Sequence, residues 1–104
     1  VNYDEFESEL GDVAITDDHI EREERESEEW DKILENFNSE EIIDKVHLSK
    51  IDHLKFRPGA LYPCIKIKCG DEWKLLFFKS EDESAEDCFK CLNYRWKAFK
   101  QIYQ

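Results

Sequence analysis

The stretch Ile65-Lys66-Ile67-Lys68-Cys69-Gly70-Asp71-Glu72-Trp73-Lys74-Leu75-Leu76-Phe77-Phe78 carries most of the fold information in this sequence. Apolar and charged residues alternate with a period of two on either side of Gly70-Asp71, the pattern of two strands joined as a β-hairpin. On the first strand Ile65, Ile67 and Cys69 share one face, and Cys64, Lys66 and Lys68 share the other. On the second, Trp73, Leu75 and Phe77 lie opposite Lys74, Leu76 and Phe78. Loop length decides which faces coincide. A two-residue Gly70-Asp71 turn is the short-range preference and pairs Cys69 with Glu72. A register pairing Cys69 with Trp73 instead gathers Ile65, Ile67, Trp73, Leu75 and Phe77 on one side and Lys66, Lys68 and Lys74 on the other. A one-residue slip turns every side chain over, so burial favours the second register, through a longer loop or a bulge.

Outward from the hairpin, residues from about 81 or 85 to 102 read as an amphipathic helix. Ala85, Cys88, Phe89, Leu92, Trp96, Phe99 and Tyr103 form one apolar stripe at helical spacing. Each large side chain of that stripe contributes about 1.5–3 kcal/mol when buried. Upstream, residues 13–16 and 19–23 read as short strands around the turn residues Asp17-Asp18. Val46, Leu48, Ile51, Leu54 and Phe56 alternate apart from one slip at Ser49-Lys50, which suggests two strands sharing a bend or one strand with a bulge. Trp30, Ile33, Leu34 and Phe37 predict an additional short helix near residues 28–36. Residues 1–12 are acidic and read as a short helix or a loosely docked arm. The expected fold class is α+β: a small antiparallel, partly open barrel or curved sheet closed by the C-terminal helix. Residues 1–104 form one domain in this reading.

Charge is distributed unevenly. The net value is −11, with 18 acidic against 5 basic side chains in residues 1–50 and 8 against 10 in residues 51–104. An acidic chain is repelled by nucleic acids and anionic lipids, both of which require phosphate neutralisation. The apolar runs are too short to span a bilayer, and the acidic start lacks the basic-then-apolar pattern of a signal peptide. A cytoplasmic, reducing environment is therefore expected, with Cys64, Cys69, Cys88 and Cys91 as thiols.

Chemistry-bearing motifs are sparse. Cys64 and Cys69 stand five apart on a predicted strand and so point to opposite faces. Cys88 and Cys91 stand three apart on a predicted helix. Neither pair suits a four-thiolate zinc site. Glu86 and Asp87 beside Cys88 disfavour the thiolate that a redox dithiol needs. His19, His47 and His53 show no metal-ligand spacing, and three glycines leave no phosphate-cradling loop. The expectation is a non-catalytic protein with no metal and no cofactor. Its one candidate surface is basic: Lys66, Lys68 and Lys74, joined by Lys55 and Arg57. That patch suits a protein partner with an acidic segment, the chain's own acidic residues 21–29 included. Solvent-facing lysines that merely protect a sheet are the plain alternative. A different class of function, lipid or nucleic-acid contact, would use the same basic C-terminal half.

Residues 13–21 (strand, Asp17-Asp18 turn, strand), Val46-His47-Leu48-Ser49-Lys50-Ile51, residues 64–79 and the helix with Trp96 together resemble the pleckstrin-homology-like superfold, including its GRAM-type and small prokaryotic versions. The chain departs from that pattern in its early helix and in showing about five or six strands where the full fold has seven. Asp17-Asp18 stand where lipid-binding members carry a basic first hairpin. The resemblance thus implies a protein–protein interaction module rather than a phosphoinositide receptor.

Overall fold

The computed structural model describes residues 3–8, 11–23, 41–58, 62–78 and 84–103. The early helix expected near residues 28–36 lies outside the described residues, as does most of the acidic run at 21–29.

Alternating patterns become strands throughout. β1 (Tyr3–Ser8), β2 (Gly11–Thr16), β3 (His19–Arg22) and β5 (Lys45–His47) form an antiparallel sheet A in the order β1-β2-β3-β5. β6 (His53–Arg57), β7 (Cys64–Cys69) and β8 (Glu72–Phe77) form an antiparallel meander, sheet B. The two-residue strand β4 (Glu41–Ile42) joins it parallel to β8. Helix α1 (Ser84–Tyr103) follows, with Glu86 and Asp87 in its first turn and Lys100 in its last, each matching the sign of the helix dipole there. The fold is α+β, and among the described residues the two ladders do not close into a barrel. The radius of gyration, 13.2 Å, is that of a compact unit of this length.

One core lies between the inner faces. Val13, Ile15, Ile20 and Val46 come from sheet A and Leu54, Ile65, Ile67 and Leu76 from sheet B; Phe78 follows β8, and Ala85, Cys88, Leu92 and Trp96 come from α1. The helical stripe expected from sequence faces the core: Ala85, Cys88, Leu92 and Trp96 are buried, and Phe89 and Phe99 pack against them half-buried. Trp96 also donates its indole N–H to the Ile51 carbonyl at 3.2 Å, which satisfies the polar edge of a buried ring. Phe89 stacks on Phe56 at 5.2 Å between centroids.

Two expectations are corrected, and the slip at Ser49-Lys50 resolves to the first of its alternatives, two strands sharing a bend. The acidic arm at the N-terminus contains a six-residue strand: Asp4, Phe6 and Ser8 alternate with Glu5 and Glu7, and the whole of β1 pairs with β2 from Tyr3↔Thr16 to Ser8↔Gly11. Gly11, at φ 128, opens β2 in a backbone conformation that L side chains rarely adopt. The slip at Ser49-Lys50 is a single 3₁₀ turn, Leu48–Lys50, between strands of different sheets. Its entry is capped by His47, whose Nδ1 accepts from the Ser49 amide.

The second correction concerns the hairpin. Cys69 pairs with Glu72, Ile67 with Lys74 and Ile65 with Leu76. The connection is the two-residue turn, with Gly70 at φ 65 and Asp71 at negative φ, the glycine-first pattern of a type II′ turn. Burial favours the other register only where one face of β8 is covered, and the apolar Leu76 and Phe78 already hint at cover on the second. Both faces are covered: Leu76 and Phe78 enter the main core, while Leu75 and Phe77 join Cys64 in a second cluster with Ile42 and Tyr62 packed against it. With both faces apolar, alternation no longer selects a register, and the turn decides.

A second device fastens the N-terminal strand. Arg95, on α1, donates from Nη2 to Asp4 at 2.8 Å and from Nη1 to Asp17 at 2.6 Å. One guanidinium therefore ties β1 and the β2–β3 turn to the helix. The Cys91 thiol also donates to Asp4 at 3.1 Å. These bonds hold the Asp4 carboxyl below the usual carboxylate range.

Candidate interaction face

Sheet B turns one face to the core and one away from it. Register places His53, Lys68 and Trp73 in one rung of the outer face, Lys55, Lys66 and Leu75 in the next, and Arg57, Cys64 and Phe77 in the third. Rungs on one face repeat every two residues, roughly 6.8 Å along the strand. Four cations therefore occupy adjacent positions on β6 and β7, and no carboxylate stands at any position of this face in β6, β7 or β8. Lys55 and Lys66 are directly opposite, an arrangement of like charges that is itself unfavourable.

Trp73 organises the basic end. The Nζ atoms of Lys66 and Lys68 lie 5.7 and 5.9 Å from its ring centroid, within cation–π range. His53 meets the same ring edge-on at 6.3 Å. Lys55, Arg57 and His53 are exposed, whereas Lys66, Lys68 and Trp73 are half-buried. Among the described residues, no carboxylate forms an ion pair with Lys55, Arg57 or Lys68. The lower part of the face differs: Cys64, Leu75 and Phe77 are buried.

Of the five residues expected to form the patch, the structure brings together Lys55, Arg57, Lys66 and Lys68. Lys74 is separated from them. It pairs with Ile67 on the inner face and lies 4.0 Å from Glu72. Trp73 takes its place on the basic face. The signal that identifies Trp73 is the Gly70-Asp71 dipeptide: reading it as a two-residue turn puts Trp73 opposite Lys68.

The other chemistry-bearing groups are accounted for locally. Cys64 faces outward and Cys69 inward on β7, and all four cysteines are thiols. Burial pushes the Cys69, Cys88 and Cys91 thiols up, Cys88 most strongly, which leaves them poor nucleophiles. Among the described residues, no group of three or more His, Cys, Asp or Glu side chains is placed to hold a metal ion. His19 contacts Asp18 at 2.6 Å within the β2–β3 turn, where Thr16 Oγ1 accepts from the Asp18 and His19 amides. That contact lowers the Asp18 carboxyl below its ordinary range. No helix among the described residues is long and apolar enough to cross a membrane. Comparison with protein-family models, with curated proteins and with solved structures found no match for this chain.

Proposed function

We infer that this chain is a non-catalytic interaction module of pleckstrin-homology-like type that binds an acidic segment of a protein partner on the outer face of sheet B. The observation that carries the reading is the set Lys55, Arg57, Lys66 and Lys68 in adjacent rungs, next to a half-exposed Trp73 and without a strand carboxylate among them. A sheet that only needs solvent protection mixes the two signs of charge, whereas like charges held side by side lower stability. An extended acidic peptide matches this face because alternate carboxylates repeat at the same spacing as the rungs. The pleckstrin-like reading draws support from element order: a meander that continues through β5, a second meander β6-β7-β8, then a helix packed into the shared core. Fold alone does not fix function. A reducing, cytoplasmic setting agrees with four unbridged thiols.

The test is a titration of the purified chain with a labelled peptide of alternating Glu and Ser, run beside phosphatidylserine vesicles and a single-stranded oligonucleotide. The expected result is peptide binding that weakens as salt rises. Binding to vesicles or oligonucleotide without binding to peptide would replace this reading with the lipid- or nucleic-acid-contacting one. Failure to bind all three at low salt would overturn both.

A further inference from the structure

The outer face of sheet A offers a second surface of opposite sign. Glu5, Ala14, Glu21 and Lys45 form one rung across β1, β2, β3 and β5, and Glu7 and Asp12 form the neighbouring rung, so the acidic part of the face lies on β1 and β2, away from Lys45. The small Ala14 leaves a shallow depression of about 250 Å³ between Glu5, Asp12, Glu21 and Glu23, which Arg22 also lines. These carboxylates repeat at the same two-residue period as the cations of sheet B. Both faces look away from the same core, because each sheet gives its other face to it.

We propose that the basic outer face of sheet B docks on the acidic outer face of sheet A of a second copy of this chain, with Lys55, Arg57 and Lys68 set against Glu5 and Glu7 on the edge strand β1. The proposal rests on the reading of the basic face given above and names one occupant for it. The contact uses the uncovered side of the basic face, Lys55 and Arg57 on the edge strand β6 with Lys68 beside them on β7, because Cys64, Leu75 and Phe77 on the same face are already buried. The contact is heterologous, so each added copy still presents one unused face of each sign and assembly continues past the dimer.

Net charge gives this association an unusual signature. Two molecules of charge −11 repel as whole bodies. At ionic strengths near 0.01 M the screening length is about 30 Å, and that repulsion dominates. Near 0.15 M it falls to about 8 Å, so distant charges are screened while apposed faces still attract. Near 1 M it is about 3 Å, and the contact is lost as well. Association therefore peaks at intermediate salt.

Sedimentation equilibrium at those three ionic strengths tests the proposal. With a Kd of about 1 mM per contact, a sample at about 1 mM should rise in weight-average mass roughly 2.2-fold at intermediate salt, against roughly 1.5-fold for an assembly that stops at the dimer, and remain monomeric at both extremes. The variant Lys55→Glu/Lys68→Glu should stay monomeric throughout. Lys50→Glu/Lys97→Glu changes net charge equally at exposed positions away from both faces and should assemble like the parent, with circular dichroism confirming that both variants fold. A parent that is monomeric at all three salts, or assembly that survives Lys55→Glu/Lys68→Glu, would overturn the proposal. Acidic-peptide binding by a strictly monomeric parent would overturn self-docking while leaving the interaction-module reading in place.

Discussion

The outer faces of the two sheets are built on the same alternating pattern, yet they solve different problems. On sheet A the outward positions of β1 to β3 hold Glu5, Glu7, Asp12 and Glu21 around Ala14, a mostly charged surface over an inner face where Val13, Ile15 and Ile20 are buried. On sheet B the outward positions divide between four cations and a buried apolar cluster of Leu75, Phe77 and Cys64. A strand with one covered face keeps a strict period of two, as β2 does in its alternation of buried and exposed residues. A strand covered on both faces loses that period: β8 ends in Leu75, Leu76 and Phe77, all buried, and the buried Phe78 follows directly.

The largest expected difference between the two faces is energetic. Leu75→Ala on sheet B should lower stability by about 2–5 kcal/mol, because Leu75 is packed on the side facing away from the main core. Glu21→Ala, an outward position on sheet A, should stay within about 0.5 kcal/mol. Chemical denaturation of the two variants measures both. Equal effects would mean that the second cluster contributes no packing.

Next in size is the attachment of sheet A to the helix. Arg95→Ala should cost about 1–2 kcal/mol, the range for charge-assisted bonds whose partners are partly exposed. The linked pH effect has a definite sign. Asp4 has a depressed folded-state pKa, so its contribution is complete above the unfolded value of about 3.9 and disappears as pH falls through the lower folded one. Acid denaturation followed below about pH 4 should therefore show a shallower loss of stability in Asp4→Asn than in the parent, while sheet B remains unaffected.

A smaller effect is expected at the hairpin. Gly70→Ala places a Cβ in open space but at φ 65, so only backbone strain is added, about 1 kcal/mol. A neutral result in thermal melts would count against the two-residue turn and hence against the side of the sheet on which Trp73 stands.

These comparisons also explain what was legible in the sequence. The helix stripe from Ala85 to Trp96 was readable because it has one buried face and a clean 3.6-residue period. β2 and β3 were readable for the analogous reason. The N-terminal strand was not, because its inward positions, Asp4, Phe6 and Ser8, include two polar residues whose partners, Arg95, Cys91 and Gly11, are visible only in three dimensions. The hairpin was recognised but given the wrong register, since Leu75-Leu76-Phe77-Phe78 fits either one. That single shift exchanged Lys74 for Trp73 on the candidate face and left Lys55, Arg57, Lys66 and Lys68 in place.

Lys68 and Lys74 therefore separate the two registers and the function together, because the same charge change falls on opposite faces of sheet B. The decisive measurement is the affinity of an acidic Glu/Ser peptide for Lys68→Gln and for Lys74→Gln. Loss of an exposed ion pair of about 0.2–1 kcal/mol should weaken the Lys68→Gln complex roughly 1.4- to 5-fold, with Lys74→Gln binding like the parent. Equal weakening in both variants, or none in Lys68→Gln, would contradict the assignment of the binding face to the outer side of sheet B.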